Sequence, residues 1–172
     1  MERKEIIAEV NKRIEKAAGT GELDLSYLQL KDYFVSLVPD IKGYPSLKLD
    51  RTRIGDAGVQ ALAKSPHVAA LQSLHLVCND IGVAGAQALA KSPYMTALKH
   101  LELSYNEIGD IGVKALAESP HMATLQYLNL ESNNIGERGV KTLVESPYMA
   151  GLKHLELGRN NKKGGICGQG LC

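Results

Sequence analysis

Three histidines, His75, His100 and His154, stand in a chain that also places Glu102 and Glu156 two residues beyond the second and third of them, and Cys78 three beyond the first. Imidazole and carboxylate together are what a zinc ion binds. A thiol beside an imidazole is the pair that activates a cysteine nucleophile. Whether either chemistry is available depends on how the chain spaces these groups. His100 and His154 are 54 residues apart, as are Glu102 and Glu156. That separation is twice a period of 27 that runs through most of the sequence.

Segments starting at Leu71, Leu98, Leu125 and Leu152 each read Leu-x-x-Leu-x-Leu-x-x-Asn. Leu74-His75-Leu76 alternates apolar and polar, so one face of a short strand is buried. Asn79, Asn106, Asn133 and Asn160 share a phase, and an inward amide there can satisfy backbone groups of its own turn and of the next, as a ladder. Ile-Gly-x-x-Gly and a helical run such as Val59–Ala63 follow. Ser65-Pro66 ends that helix, because a residue before proline avoids helical geometry. The same pair opens a further turn, with serine as N-cap and proline at the first position. Earlier copies are irregular. Leu23-Asp24-Leu25 is the first strand by phase, residues 32–38 form its helix and Pro39 closes it. Leu47-Lys48-Leu49 is the second strand, with Thr52 in the asparagine position, which weakens the ladder there. Ile54/Ile81/Ile108/Ile135, Leu62/Leu89/Leu116/Leu143 and Val68/Met95/Met122/Met149 recur in register as core columns.

This pattern resembles the leucine-rich repeat over roughly Leu23 to Asn160. The resemblance implies an α/β fold: a right-handed solenoid, or horseshoe, with a parallel sheet on the concave face and helices on the convex face. Residues 21–160 are then repeats. Residues 1–20 carry Ile6, Ile7, Val10 and Ile14 on one stripe and form a capping helix. Residues 161–172, glycine-rich and basic, form a disordered tail. A second period overlies the first: Ser-Pro is followed by His67, Tyr94, His121 and Tyr148 in turn, and segments 92–106 and 146–160 agree at 11 of 15 positions. Alternating repeats resemble the ribonuclease-inhibitor-like subclass. Short stand-alone chains of this kind are similar to effectors that intracellular bacteria deliver into host cells.

The coil also decides the chemistry. Two repeats apart on a parallel sheet, His100 and His154 lie about 10 Å from each other, too far to share a zinc with bonds of about 2.0–2.1 Å. No metal and no cofactor is expected. Cys78 reads as an exposed thiol on a binding face, without the geometry of a general base. Ligases and GTPase activators built on such repeats need a further domain or more coils, so no enzyme activity is expected.

What remains is a surface. Positions between and just after the strand leucines face the hollow of the coil: Asp50 and Arg51; His75, Val77 and Cys78; His100, Glu102 and Tyr105; Tyr127, Asn129 and Glu131; His154, Glu156 and Arg159. Six strands with three or four such side chains each supply about one side of a standard protein–protein interface. Tyrosine and arginine are the types that most often anchor one. The formal charge of +1, with both signs interspersed, argues against nucleic acid. No apolar stretch approaches the roughly 20 residues that span a bilayer. Three irregularly spaced cysteines favour a reducing compartment. The expectation is a cytoplasmic module, in a host cytosol if it is a delivered effector, that binds a partner protein on its concave face. The alternative is a self-associating scaffold, a weak homodimer paired through an uncovered strand at Leu155-Glu156-Leu157.

Overall fold

The computed structural model describes residues 3–31 and 34–160, and the expected disordered tail lies outside the described residues, as do Asp32 and Tyr33. Helix α1 (Arg3–Ala17) leads into β1 (Glu22–Asp24), α2 (Phe34–Leu37) and β2 (Ser46–Lys48). The regular coils follow: α3 (Gly55–Lys64), β3 (Ser73–His75), α4 (Val83–Lys91), β4 (His100–Glu102), α5 (Gly109–Ala117), β5 (Tyr127–Asn129), α6 (Glu137–Glu145) and β6 (His154–Glu156). The six strands make one parallel sheet in sequence order. Leu23, Leu47, Leu74, Leu101, Leu128 and Leu155 are register partners across it. The fold is an α/β leucine-rich repeat solenoid.

Each coil closes because leucines, isoleucines and methionines at fixed phase meet their counterparts above and below. The three predicted core columns are buried throughout. On α1, Ile6 and Val10 join that core, while Arg13 donates to the carbonyls of Asp24 and Ser26 just beyond. Among the described residues no helix is long and apolar enough to cross a membrane.

The asparagine column forms the expected ladder. Asn106 Oδ1 accepts from the amides of Asn79 and Ile81 in the preceding coil, and its Nδ2 donates to Leu76 and Leu103 carbonyls. Asn133 and Asn160 repeat these bonds. Thr52 does not break the series. Its hydroxyl lies 2.8 Å from Asn79 Oδ1 and 2.7 Å from Leu49 O, and its amide donates to the same Oδ1. A shorter polar side chain suffices at the first rung, which has no polar rung before it to reach. As expected of Pro39, the α-helix stops before it: α2 ends at Leu37, and the proline sits in a 3-10 turn (Val38–Ile41) that follows. Proline's missing N–H costs nothing in the first turn of a helical segment. Ser65, Ser119 and Ser146 cap the later Ser-Pro turns by accepting from the amide two residues on.

The 54-residue period has a structural basis on the convex side. Asp56 Oδ1 accepts from the amides of Gly82 and Gly85, and Asp110 Oδ1 from those of Gly136 and Gly139. In the Asp-bearing coils Gly55 and Gly109 take φ of 56° and 60° and donate forward to the carbonyls of Asn79 and Asn133. A Cβ on Gly85 or Gly139 would stand 2.6 Å from the aspartate oxygen. Coils are therefore tied in pairs, carboxylate forward to amide.

Candidate binding surface

Along β2 to β5 the central leucine is buried and the residues on either side keep partial access to water. Strand pleating thus sorts side chains into columns. The first column reads Glu22, Ser46, Ser73, His100, Tyr127, His154; the second reads Asp24, Lys48, His75, Glu102, Asn129, Glu156.

The rings in these columns form a continuous row. His75 and His100 stack with centroids 4.9 Å apart, and His100 and Tyr127 at 4.1 Å with planes 2° from parallel. Tyr127 and His154 are looser, 6.3 Å apart and tilted by 43°. Ser73 Oγ lies 3.2 Å from His75 Nε2 and anchors the first ring. Burial lowers the pKa of His100 from its usual range, His75 pushes the same way, and Glu102 opposes both. Burial also raises the Tyr127 pKa, with the charge of Glu102 adding to it.

Beside the rings runs a carboxylate series held by neutral donors. Glu102 accepts from the Ser104 amide at 3.1 Å and from Asn129 Nδ2 at 3.1 Å. Asn129 in turn accepts from the Glu131 amide at 2.8 Å. Asp50 accepts from the Val77 amide at 2.9 Å; burial raises its pKa, and that bond works against the rise. Three cations share the face, each already engaged. Lys48 pairs with Glu22 at 2.9 Å, which raises its pKa, and Arg51 lies over the Tyr27 ring at 5.6 Å. Arg159 meets Glu131 at 3.3 Å and donates to the Tyr105 hydroxyl at 2.7 Å.

The structure places thirteen of the fourteen expected residues with access to this surface; Cys78 departs. It is buried, with 6% of its surface exposed, so the expectation of an exposed thiol is corrected. Cys78 is moreover disulfide-bonded, so it carries no free thiol. Tyr27, Arg51, Cys78, Tyr105, Ser132 and Arg159 all take φ between 53° and 66°. There each N–H from Tyr27 to Ser132 continues the interstrand ladder to the next coil's carbonyl. The left-handed turn carries the side chain toward the edge of the sheet, where long ones reach water and short ones do not. Tyr105 and Tyr127 are likewise half-buried rather than fully exposed, each resting on its neighbours. Sequence reasoning passed over Glu22 and Asp24 on the first strand and Tyr27 in the turn after it, although the phase of Leu23-x-Leu25 assigns them to the face.

No metal-type cluster of three or more His, Cys, Asp or Glu occurs among the described residues.

Residues 69–135 match a family described as "Leucine rich repeat", and residues 46–63 a second described as "Leucine Rich repeat". With the sheet and the ladder, these matches support a leucine-rich repeat protein, a class that is typically a non-catalytic interaction module. Comparison with curated proteins gave no match. Among solved structures the chain is similar to "Leiomodin-1 Actin-Binding Site 2 (ABS2)", with a TM-score of 0.55 and 17% identity over 83% of this chain and 87% of that one. At that identity the likeness shows the fold alone.

Proposed function

We propose that this protein binds a partner protein on its concave face, with Tyr105, Tyr127, His100, Glu102, Glu131 and Arg159 at the centre. The observation that carries this reading is the accessible ring row beside oriented carboxylates, on a sheet whose reverse side is buried in the core from β1 to β5. Rings stacked on one another lose little conformational freedom on binding, which is what makes an aromatic anchor effective. Leucine-rich repeat domains generally mediate protein–protein contacts. The leiomodin-1 structure is named for actin; that partner belongs to leiomodin-1, and nothing here transfers it. The resemblance to delivered effectors supports a cytosolic setting, in a host cell where the chain is of that kind.

The test is a capture experiment with Tyr105→Glu and Tyr127→Glu combined. Loss of the captured partner, at unchanged sedimentation and helicity, supports the reading. Undiminished capture rejects it.

A second reading rests on the last coil. Leu152, Leu155 and Leu157 are only partly buried, Val144 is 74% exposed, and β6 has a single strand neighbour among the described residues. A hollow of about 310 Å³ lies there, lined by Leu143, Met149 and Leu155 among others. Pairing of two copies through this end would cover it. Leu155→Lys should then convert dimer to monomer in sedimentation while concave-face capture persists.

A further inference from the structure

We infer that the segment seated across β4 to β6 is a basic one, with an arginine or lysine side chain lying against the Tyr127 ring and paired to Glu102 or Glu156. This rests on the concave-face reading and adds the chemistry of the partner. Three observations carry it.

The face has an uncompensated charge. Six carboxylates (Glu22, Asp24, Asp50, Glu102, Glu131 and Glu156) share it with three cations, although the whole chain is formally +1. Two of those cations are committed to Glu22 and Glu131, and the third lies over Tyr27. Among the described residues Asp50, Glu102 and Glu156 have no cation within ion-pair distance. An acidic partner would have to break existing pairs to gain one, whereas a basic partner finds carboxylates unclaimed.

Glu102 is also oriented in advance. Its two oxygens are held by the Ser104 amide and by Asn129 Nδ2, with the Tyr127 hydroxyl 3.5 Å from the second, so neutral donors fix its position. A carboxylate fixed in this way loses little entropy when a guanidinium arrives, and a charge-assisted bond is roughly twice as strong as a neutral one.

The ring row opens where the charge is. His75, His100 and Tyr127 stack closely, but between Tyr127 and the exposed His154 the planes diverge by 43° at 6.3 Å. A cation within about 6 Å of a tyrosine centroid is attracted by the ring face. Glu156 lies two residues along from His154 on the same strand and pairs in register with Asn129, the residue that holds Glu102. The gap thus has an aromatic wall and carboxylates along one side. Burial disfavours the charged form of His100, which lessens its opposition to an incoming cation.

The test uses the full chain and two synthetic peptides, (Gly-Arg)6 and (Gly-Glu)6, followed by calorimetry and by the ring resonances of His100, Tyr127 and His154. The arginine peptide should move those resonances. Glu102→Gln with Glu156→Gln should weaken it at least tenfold, with unchanged circular dichroism. Glu118→Gln with Glu145→Gln removes the same formal charge from α5–α6 and should change affinity less than twofold. The inference is overturned if the arginine peptide leaves the rings unmoved, if the two charge pairs matter equally, or if the glutamate peptide binds as well. In that last case the same resonances still move, so the concave reading survives and only the partner's chemistry is wrong. If neither peptide moves them, capture by the Tyr105/Tyr127 double variant decides the concave reading separately.

Discussion

The interior asparagine column and the concave ring row lie a few residues apart on the same coils, yet they vary in opposite ways. Asn79, Asn106, Asn133 and Asn160 are identical because each amide must satisfy two coils at once, its own and the one before. Ser73, His100, Tyr127 and His154 share one column and include three residue types, because nothing inside the molecule dictates them. What repeats is fixed by the neighbouring coil. What departs from the repeat is left to whatever comes from outside.

Substitution at the asparagine column should therefore have the largest effect of all. Asn106→Leu strips partners from the buried amides of Asn79 and Ile81 and the carbonyls of Leu76 and Leu103. Each orphaned group costs about 1–3 kcal/mol, so the loss should reach about 4 kcal/mol or more in urea unfolding. Leu128→Ala, in the apolar column next to it, should cost about 3 kcal/mol. If the asparagine variant proves the milder of the two, the ladder is ornament and the leucines alone hold the coil.

The comparison also explains what could be read from the sequence. Leu-x-x-Leu-x-Leu-x-x-Asn encodes strand, face and ladder together, because period two and period 27 coincide in it. The buried Cys78 was not legible, since the left-handed turn after each strand leaves no mark on residue type: tyrosine, arginine, serine and cysteine all adopt it. The ring row was half legible. Phase placed His100, Tyr127 and His154 in line, but the close approach of His75 from the adjacent column depends on rotamers. The alternation of coils was visible as a 54-residue period, while its physical cause, Asp56 and Asp110 reaching the next helix, was not.

That cause gives a smaller prediction. Asp110→Ala removes the acceptor for Gly136 and Gly139 amides at the exposed end of α6. Water can replace part of it, so about 1–2 kcal/mol should be lost. Hydrogen exchange should quicken in α6 before α4. Equal quickening in both helices would mean that coils are not tied in pairs.

The smallest effect is the one that tests the ring row without a partner. His100 has a folded pKa below its unfolded value near 6.5, mainly because its ring is partly buried. Below pH 6.5 the unfolded chain then binds more protons at this site than the folded one. Stability contributed by the neutral ring is present above pH 6.5 and is lost as pH falls through the folded pKa. His100→Phe keeps an aromatic ring against Tyr127 and removes the titration. Wild type should thus lose more stability than His100→Phe between pH 7.5 and 5.5, measured by urea midpoints at constant ionic strength. His75, Glu102 and Tyr127 face the same ring and remain in both proteins, so the difference reports His100. Identical pH profiles would mean that the imidazole is as well solvated folded as unfolded. The stack would then be too loose to serve as a preformed anchor.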